Sequence, residues 1–438
     1  MRLFSKFLVL LILAVLAWPA GRLGAESPTV VRAEQAAAHD TTAYTLSPEK
    51  MRKAVAITRI WNVYAPADTL WTLLQFLLIL ALGIAARMRD FAVGLSKYRW
   101  VQGPAFVFLF LLLSRLLSLP LDMYRHRLGI AYGFSVQHWG SWFGDQAKTF
   151  AIAWVLFSLM TMLLFWVMRK SPARWWFWFW IPAVLFGILG VFITPYVIDP
   201  LFNKFEPLAK SDPALVQQLE KVVARGGLAV PPERMFLMKA SAKVTTLNAY
   251  VTGFGASKRV VVWDTTIAKA TPDEISFIFG HEMGHYALGH ILMGTAWSSL
   301  ALLPTFWIGY HCFRLLLRRF GGAWGIPSQN DWAALIVFTL VLVALADLSE
   351  PVENSFHRMI EHNADIYGQE AMHGIVADPR TVGRQAFQVL GEESLDDPTP
   401  HPLVEFWTYT HPPIRTRAGF AVAYDPWAPG EQPKYFAK

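Results

Sequence analysis

Cysteine is almost missing from this chain: Cys312 is the only one in 438 residues, which excludes a disulfide framework. Charge is scarce as well. Asp, Glu, Lys and Arg make up 16% of the residues, against roughly 25% in a soluble protein, too little polar surface for a water-soluble globule of this length. Hydrophobic residues reach 54% and the mean hydropathy is +0.34, the opposite of the balance that produces intrinsic disorder. The surplus apolar residues must face something other than water, so the sequence reads as an integral membrane protein whose first partner is the lipid bilayer. The net charge of +7 does not argue for nucleic acid, because the basic residues sit beside apolar runs, as the positive-inside rule distributes them.

A hydrocarbon core about 30 Å thick needs about 20 apolar residues in a helix, and seven segments approach that length. The first, Leu8 to Ala17 behind Arg2 and Lys6, runs into Ala-rich sequence, so residues 1–25 read either as a cleaved signal peptide or as a first anchor. Residues 26–198 form an N-terminal membrane-spanning region with spans at Leu70–Ala86, Ala105–Leu121, Phe150–Met168 and Trp175–Ile198. Residues 199–438 contain two polar blocks of about 90 residues and two further spans, Ile291–Tyr310 and Trp332–Leu348. The aromatic run Trp175–Trp180 reads as an interfacial belt. Arg87, Arg89, Lys97 and Arg99, then Arg169, Lys170 and Arg174, then Arg314, Arg318 and Arg319 fall in alternate loops, which makes that side cytoplasmic and puts the polar blocks opposite. Arg32, Lys50, Arg52, Lys53 and Arg59 run against this count.

The chemistry is concentrated in His281-Glu282-Met283-Gly284-His285, an H-E-x-x-H motif. Thr271, Pro272 and Glu274 supply an N-cap, a proline at the first helical position and a capping box. Ile275, Ile278 and Phe279 give an apolar face leading into the motif. On such a helix His281 and His285 share a face and reach one zinc ion, while Glu282 is placed to take a proton from the water that zinc activates. A catalytic zinc usually has three protein ligands. The metzincin spacing fails, since Gly289 and His290 lie eight and nine residues after His281 rather than seven and ten, so His290 reads as a polar residue of the helix. Glu361 and Asp365, four apart after the last span, are the other candidates. Either binds metal while the other holds a histidine or stabilises developing charge, or both belong to a solvated acidic helix face. Arg358 is placed to pair with a nearby carboxylate.

Several separated motifs in one order resemble the membrane zinc metallopeptidases of the CAAX prenyl protease 1 family, the Ste24 type of family M48. They are Pro200–Phe205, Asn248-Ala249-Tyr250, the motif at 281–285, Glu361-His362-Asn363-Ala364-Asp365, and His411-Pro412-Pro413 with Arg417. The resemblance implies a mainly α fold, a polytopic membrane helical bundle of six or seven spans that encloses a chamber, with a small α+β zinc-peptidase domain of the gluzincin type. It implies one zinc ion per chain held by His281, His285 and Glu361, with Glu282 as general base and Asp365 as a second catalytic carboxylate. Physically, Asp365 also suits an orienting role on the free ring nitrogen of His285. The Asn248 strand would lie beside a peptide or protein substrate that adds to its edge. His411 and Arg417 would stabilise the tetrahedral oxyanion.

The function expected is therefore a zinc metalloendopeptidase of a bacterial-type inner membrane, with the zinc site on the non-cytoplasmic side, acting on peptide or protein substrates that include membrane-associated ones. Two alternatives stand beside it. A quality-control peptidase of the HtpX type has fewer spans before the zinc helix. A transporter or channel with a structural metal site would show intramembrane charges along a pathway, yet only Arg115 and Asp347 fall within spans, and Glu282 would have no use there.

Overall fold

The computed structural model describes residues 27–253 and 258–437; the N-terminal segment 1–25, read as signal peptide or anchor, lies outside them. Twelve longer helices carry the described architecture. They are α1 (Pro28–His39), α2 (Pro48–Ala81), α3 (Ile84–Leu95), α4 (Arg99–Ala131), α5 (Trp139–Lys170), α6 (Trp175–Ile193), α7 (Pro213–Arg225), α8 (Pro272–Ala287), α9 (His290–Phe320), α10 (Ala334–Ala371), α11 (Pro379–Ser394) and α12 (Ile414–Ala423). Among the described residues, α2, α4, α5, α6 with its extension to Phe202, α9 and α10 are long and apolar enough to cross a membrane.

These six close into a ring. Around it α2 touches α4, α4 touches α5, α5 touches α6, α6 touches α9, α9 touches α10, and α10 returns to α2. The ring is packed at one end, where Phe76, Phe110, Phe165, Phe179, Phe306, Phe313 and Trp332 form a buried core. The basic loops meet at this same end. Arg89 binds Asp331 at 2.6 Å and the Gly325 carbonyl, Arg99 donates to the Asn330 carbonyl, and Gln329 donates to that of Pro172. Along the ring Arg115 is held by Asp122 at 2.8 Å and by Gln146, so an intramembrane charge is paired rather than exposed to lipid.

Two expectations change. The span expected at Leu70–Ala86 crosses a break: α2 ends at Ala81, Gly83 adopts φ +67°, and a separate helix, α3, starts at Ile84. A positive φ suits glycine, and an apolar run gives no sign of it. Nor is the aromatic run at 175–180 a uniform interfacial belt. Phe177 and Trp178 are exposed, but Trp175 is fully buried, edge-on to Tyr310, Phe313 and Phe338, because a helix turns every third or fourth ring inward.

The second core is built mainly from residues 199–437, with Ala43 and Tyr44 joining it. A four-stranded sheet of β1 (Phe205–Pro207), β2 (Met235–Met238), β3 (Ala249–Thr252) and β4 (Arg259–Trp263) has the order β1-β2-β4-β3. The pair β2–β4 is parallel, with Met235 opposite Val260, and β3 is an edge strand antiparallel to β4, with Ala249 opposite Val262. In the sequence, the short alternating runs Arg234–Lys239 and Lys258–Trp263 on either side of Asn248 read as strands, and they contain β2 and β4. Val260 and Val262 pack with Leu219 of α7, Phe277 and Phe279 of α8, and Tyr367 of α10.

Helix α10 is continuous from the basic end of the ring to Ala371, passing through Pro351. Its far end crosses α8 at close range. A Cβ on Gly368 would meet the His281 backbone nitrogen at 2.8 Å, and one on Gly284 would meet Tyr367 Cβ at 3.0 Å and Ala364 Cα at 3.2 Å. Beyond the crossing, the buried carboxylate of Glu370 accepts from the amides of Lys434, Tyr435 and Phe436 and from the Tyr424 hydroxyl, which straps residues 424–436 across the back of α10. Gly368→Ala should cost about 1–3 kcal/mol through overpacking, read as a lower thermal midpoint in detergent. An unchanged midpoint would mean that the two helices are free to separate.

Candidate metal centre

Helix α8 starts as its sequence dictates. The Thr271 hydroxyl accepts from the Glu274 amide and the Glu274 carboxylate accepts from the Thr271 amide at 2.7 Å, with Pro272 at the first helical position. From that start His281 and His285 fall on the face turned towards α10, which delivers Glu361. The Nε2 atoms of the two histidines lie 3.1 Å apart, and Glu361 Oε2 lies 3.2 Å from that of His281 and 3.5 Å from that of His285. His281 and Glu361 are buried and His285 is half-buried.

This cluster fits a divalent metal ion. Glu361 Oε2 is buried and makes no hydrogen bond despite the ring nitrogens around it, so the three donor atoms present lone pairs to one another. His281 Nδ1 is 2.8 Å from Asp365 Oδ1. That contact places the ring proton on Nδ1 and leaves Nε2 free to ligate. The carboxylates of Asp365 and Glu361 around His281 outweigh the cost of burial and favour positive charge at this site. Its His-His-Glu donor set is that of catalytic zinc.

Glu282 sits beside the first histidine, half-buried, with its carboxylate receiving the Val251 amide of edge strand β3. Burial raises its pKa, and the neighbouring histidines lower it less than burial raises it. It opens onto a cavity of about 490 Å³ whose wall includes Asn248, Phe277, His281, Tyr409, His411 and Arg417. Asn248 is exposed on that wall, while its backbone is fixed by Thr266, whose hydroxyl accepts from the Asn248 amide and donates to its carbonyl.

The structure brings all eight residues singled out in the sequence to this cavity or its immediate support, but with three changes of partner. Asp365 holds His281, not His285. Arg417, expected at the oxyanion, directs Nε and Nη2 to the two oxygens of Asp365 at 2.8 and 2.7 Å and lies over the Phe387 ring. Arg358 pairs with no carboxylate among the described residues; it donates to the carbonyls of Glu405 at 3.1 Å and Tyr409 at 2.6 Å. Together with Asn354, which donates to the Trp407 carbonyl, it fixes the short helix Pro402–Thr408 and the turn that carries His411. His411 Nε2 comes within 3.1 Å of Glu361 Oε2 while its side chain stays half exposed. Sequence reasoning missed the anchoring roles of Arg358 and Glu370, since neither stands in a motif. Arg417→Leu should leave Asp365 buried and uncompensated at about 3–5 kcal/mol, seen as a large fall in the unfolding midpoint. A midpoint like wild type would show that Asp365 is neutral.

Such a centre at the mouth of a six-helix membrane ring defines an integral multi-pass membrane metallopeptidase. Residues 29–204 match the CAAX prenyl protease N-terminal profile, described as five membrane helices, and residues 209–423 match peptidase family M48. The chain is 31% identical over 376 residues to the uncharacterized metalloprotease YhfN of Bacillus subtilis, covering 85% of each. It is 27% identical to CAAX prenyl protease 1 of Saccharomyces cerevisiae, over 72% of this chain and 71% of that one. The crystal structure of S. mikatae Ste24p superposes with a TM-score of 0.73 at 24% identity, over 94% of this chain and 98% of that one, and shares the fold. The chain belongs to peptidase family M48, in its Ste24 branch.

Proposed function

We propose that the chain is a zinc endopeptidase that cleaves peptide or protein substrates at the membrane, with residues 26–198 as its membrane-spanning half and 199–438 as the peptidase half. The observation that carries this reading is the convergence of His281 Nε2, His285 Nε2 and a carboxylate oxygen of Glu361 within 4.8 Å of one another, next to the half-buried carboxylate of Glu282, which is not itself part of the triad.

His281, His285 and Glu361 hold the ion. When bound, zinc supplies Lewis acidity towards water and towards the scissile carbonyl. Glu282 accepts the proton of the attacking water at its carboxylate and passes it to the nitrogen of the departing amine. Its raised pKa makes it a stronger base than an exposed glutamate. Asp365, clamped by Arg417, keeps His281 in the ligating tautomer. The substrate backbone adds to the free edge of β3 beside Asn248, and this addition brings the scissile carbonyl of the substrate to the cavity in front of Glu282. His411, whose ring is half exposed, donates to the developing oxyanion. The charged loops at the packed end of the ring favour a cytoplasmic position for that end, which puts the zinc site on the non-cytoplasmic side.

Glu282→Gln should abolish cleavage, by at least about 100-fold, with zinc content unchanged, whereas Glu361→Ala should lose the metal. Retained cleavage in the first or retained zinc in the second would remove those roles. Since Glu282 works deprotonated and partial burial raises its pKa, kcat/KM should fall with decreasing pH through a value above the ordinary glutamate range; an acid limb within that range would contradict the raised pKa of Glu282. A periplasm-dependent reporter fused after Lys438 should be active, and an inactive one would place the zinc site in the cytoplasm.

A further inference from the structure

The two histidine ligands are not held alike. His281 is backed by a carboxylate, Asp365, whereas His285 has a different neighbour at its back. Its Nδ1 lies 3.1 Å from Nδ1 of His290, and the two rings meet edge to face with centroids 5.0 Å apart. His290 is buried, and it is the first residue of α9, a helix that crosses the membrane. The chain reaches it by ending α8 at Ala287 and turning back through Gly289 at φ +70°. A side chain at position 289 would be strained in that conformation, so the glycine is what folds the histidine five residues on from His285 back against it.

The direction of this hydrogen bond follows from the site. His285 Nε2 faces His281 and Glu361 and must carry a lone pair to ligate, so its ring proton is on Nδ1. The Nδ1···Nδ1 contact then runs one way only: His285 donates and His290 accepts, with the His290 proton on its own Nε2. We propose that His290 is a positioning residue for the metal, a neutral imidazole that fixes the tautomer and ring plane of His285 from the first turn of a membrane-spanning helix. This rests on the assignment of His285 as a ligand. An imidazole acceptor carries no charge, so it orients His285 without adding a fourth carboxylate to a site that already holds Glu361, Asp365 and Glu282. Removing an outer partner of a metal-bound histidine typically weakens metal binding 10–100-fold, and the same loss is expected here.

The test measures zinc dissociation by chelator competition, together with the d–d absorption of the cobalt-loaded protein, in full-length protein in detergent. His290→Phe keeps ring volume without an acceptor and should weaken zinc binding about 10–100-fold and alter the cobalt spectrum, with apoprotein thermal stability close to wild type. His290→Asn restores an acceptor oxygen and should recover much of the affinity. Wild-type affinity and spectrum in His290→Phe, or better recovery by Phe than by Asn, would overturn the proposal and leave His290 as packing. Glu361→Ala and His285→Ala run in parallel: zinc retained in those variants would mean the ligand assignment itself has failed, whereas their loss with His290→Phe unchanged would sink only the role of His290.

Discussion

The close crossing of α8 and α10 is the constraint from which the rest of the metal centre follows. Two ligands come from one helix and the third from another, 76 residues after His285 in the chain, and donor atoms must converge to within a few ångströms. Glycines make that possible. Gly284 lies inside the H-E-x-x-H sequence and Gly368 two turns beyond Glu361, and each removes the Cβ that would hold the backbones apart. Once they touch, the rotation of α10 is set, and with it Glu361 faces the histidine pair while Asp365 passes behind His281. Arg417, Phe387 and the strap on Glu370 then lock the outer side of α10 in that rotation.

The membrane ring supports this crossing from a distance. Its buried core lies at the basic end, away from the metal, so the helices are packed firmly where they need no chemistry and carry the site at the opposite end. Helices α9 and α10 belong to both halves: α9 starts against His285, and α10 runs from the core of the ring to the metal. The peptidase half is therefore built onto the spans rather than tethered to them.

Much of this was legible in the sequence where the cause is local. Thr271, Pro272 and Glu274 set the start of α8 through contacts within four residues, and the histidine spacing then fixes a shared face. The strands around Met235–Met238 and Arg259–Trp263 followed from alternation, and the spans from apolar length. What was not legible depends on the mutual rotation of elements distant in sequence. Whether Asp365 serves His281 or His285 is decided by the angle at which α10 meets α8, and the engagement of Arg417 with Asp365 by how α12 docks behind them. The break at Gly83 is hidden because an apolar run looks the same straight or bent. Trp175 faces inward because Tyr310, Phe313 and Phe338 stand there, a fact absent from residues 175–180 themselves.

Helix α10 also has a mechanical side. Its 38 residues make a rod about 57 Å long at 1.5 Å per residue, with one end set in the bilayer and the other gripping a metal. For a rigid rod, a one-degree change of tilt about the packed end would swing Glu361, roughly 40 Å away, by about 0.7 Å, more than the ~0.5 Å tolerance of a catalytic geometry. Pro351 lies between the two ends and has no amide to bond the carbonyl of Asp347. A helix that lacks this hydrogen bond bends more easily there than along its regular turns. A lean of the membrane part would be taken up there, ahead of the residues from Glu361 to Gly368 that meet α8, so that the leverage of the long arm is relieved before it reaches the metal.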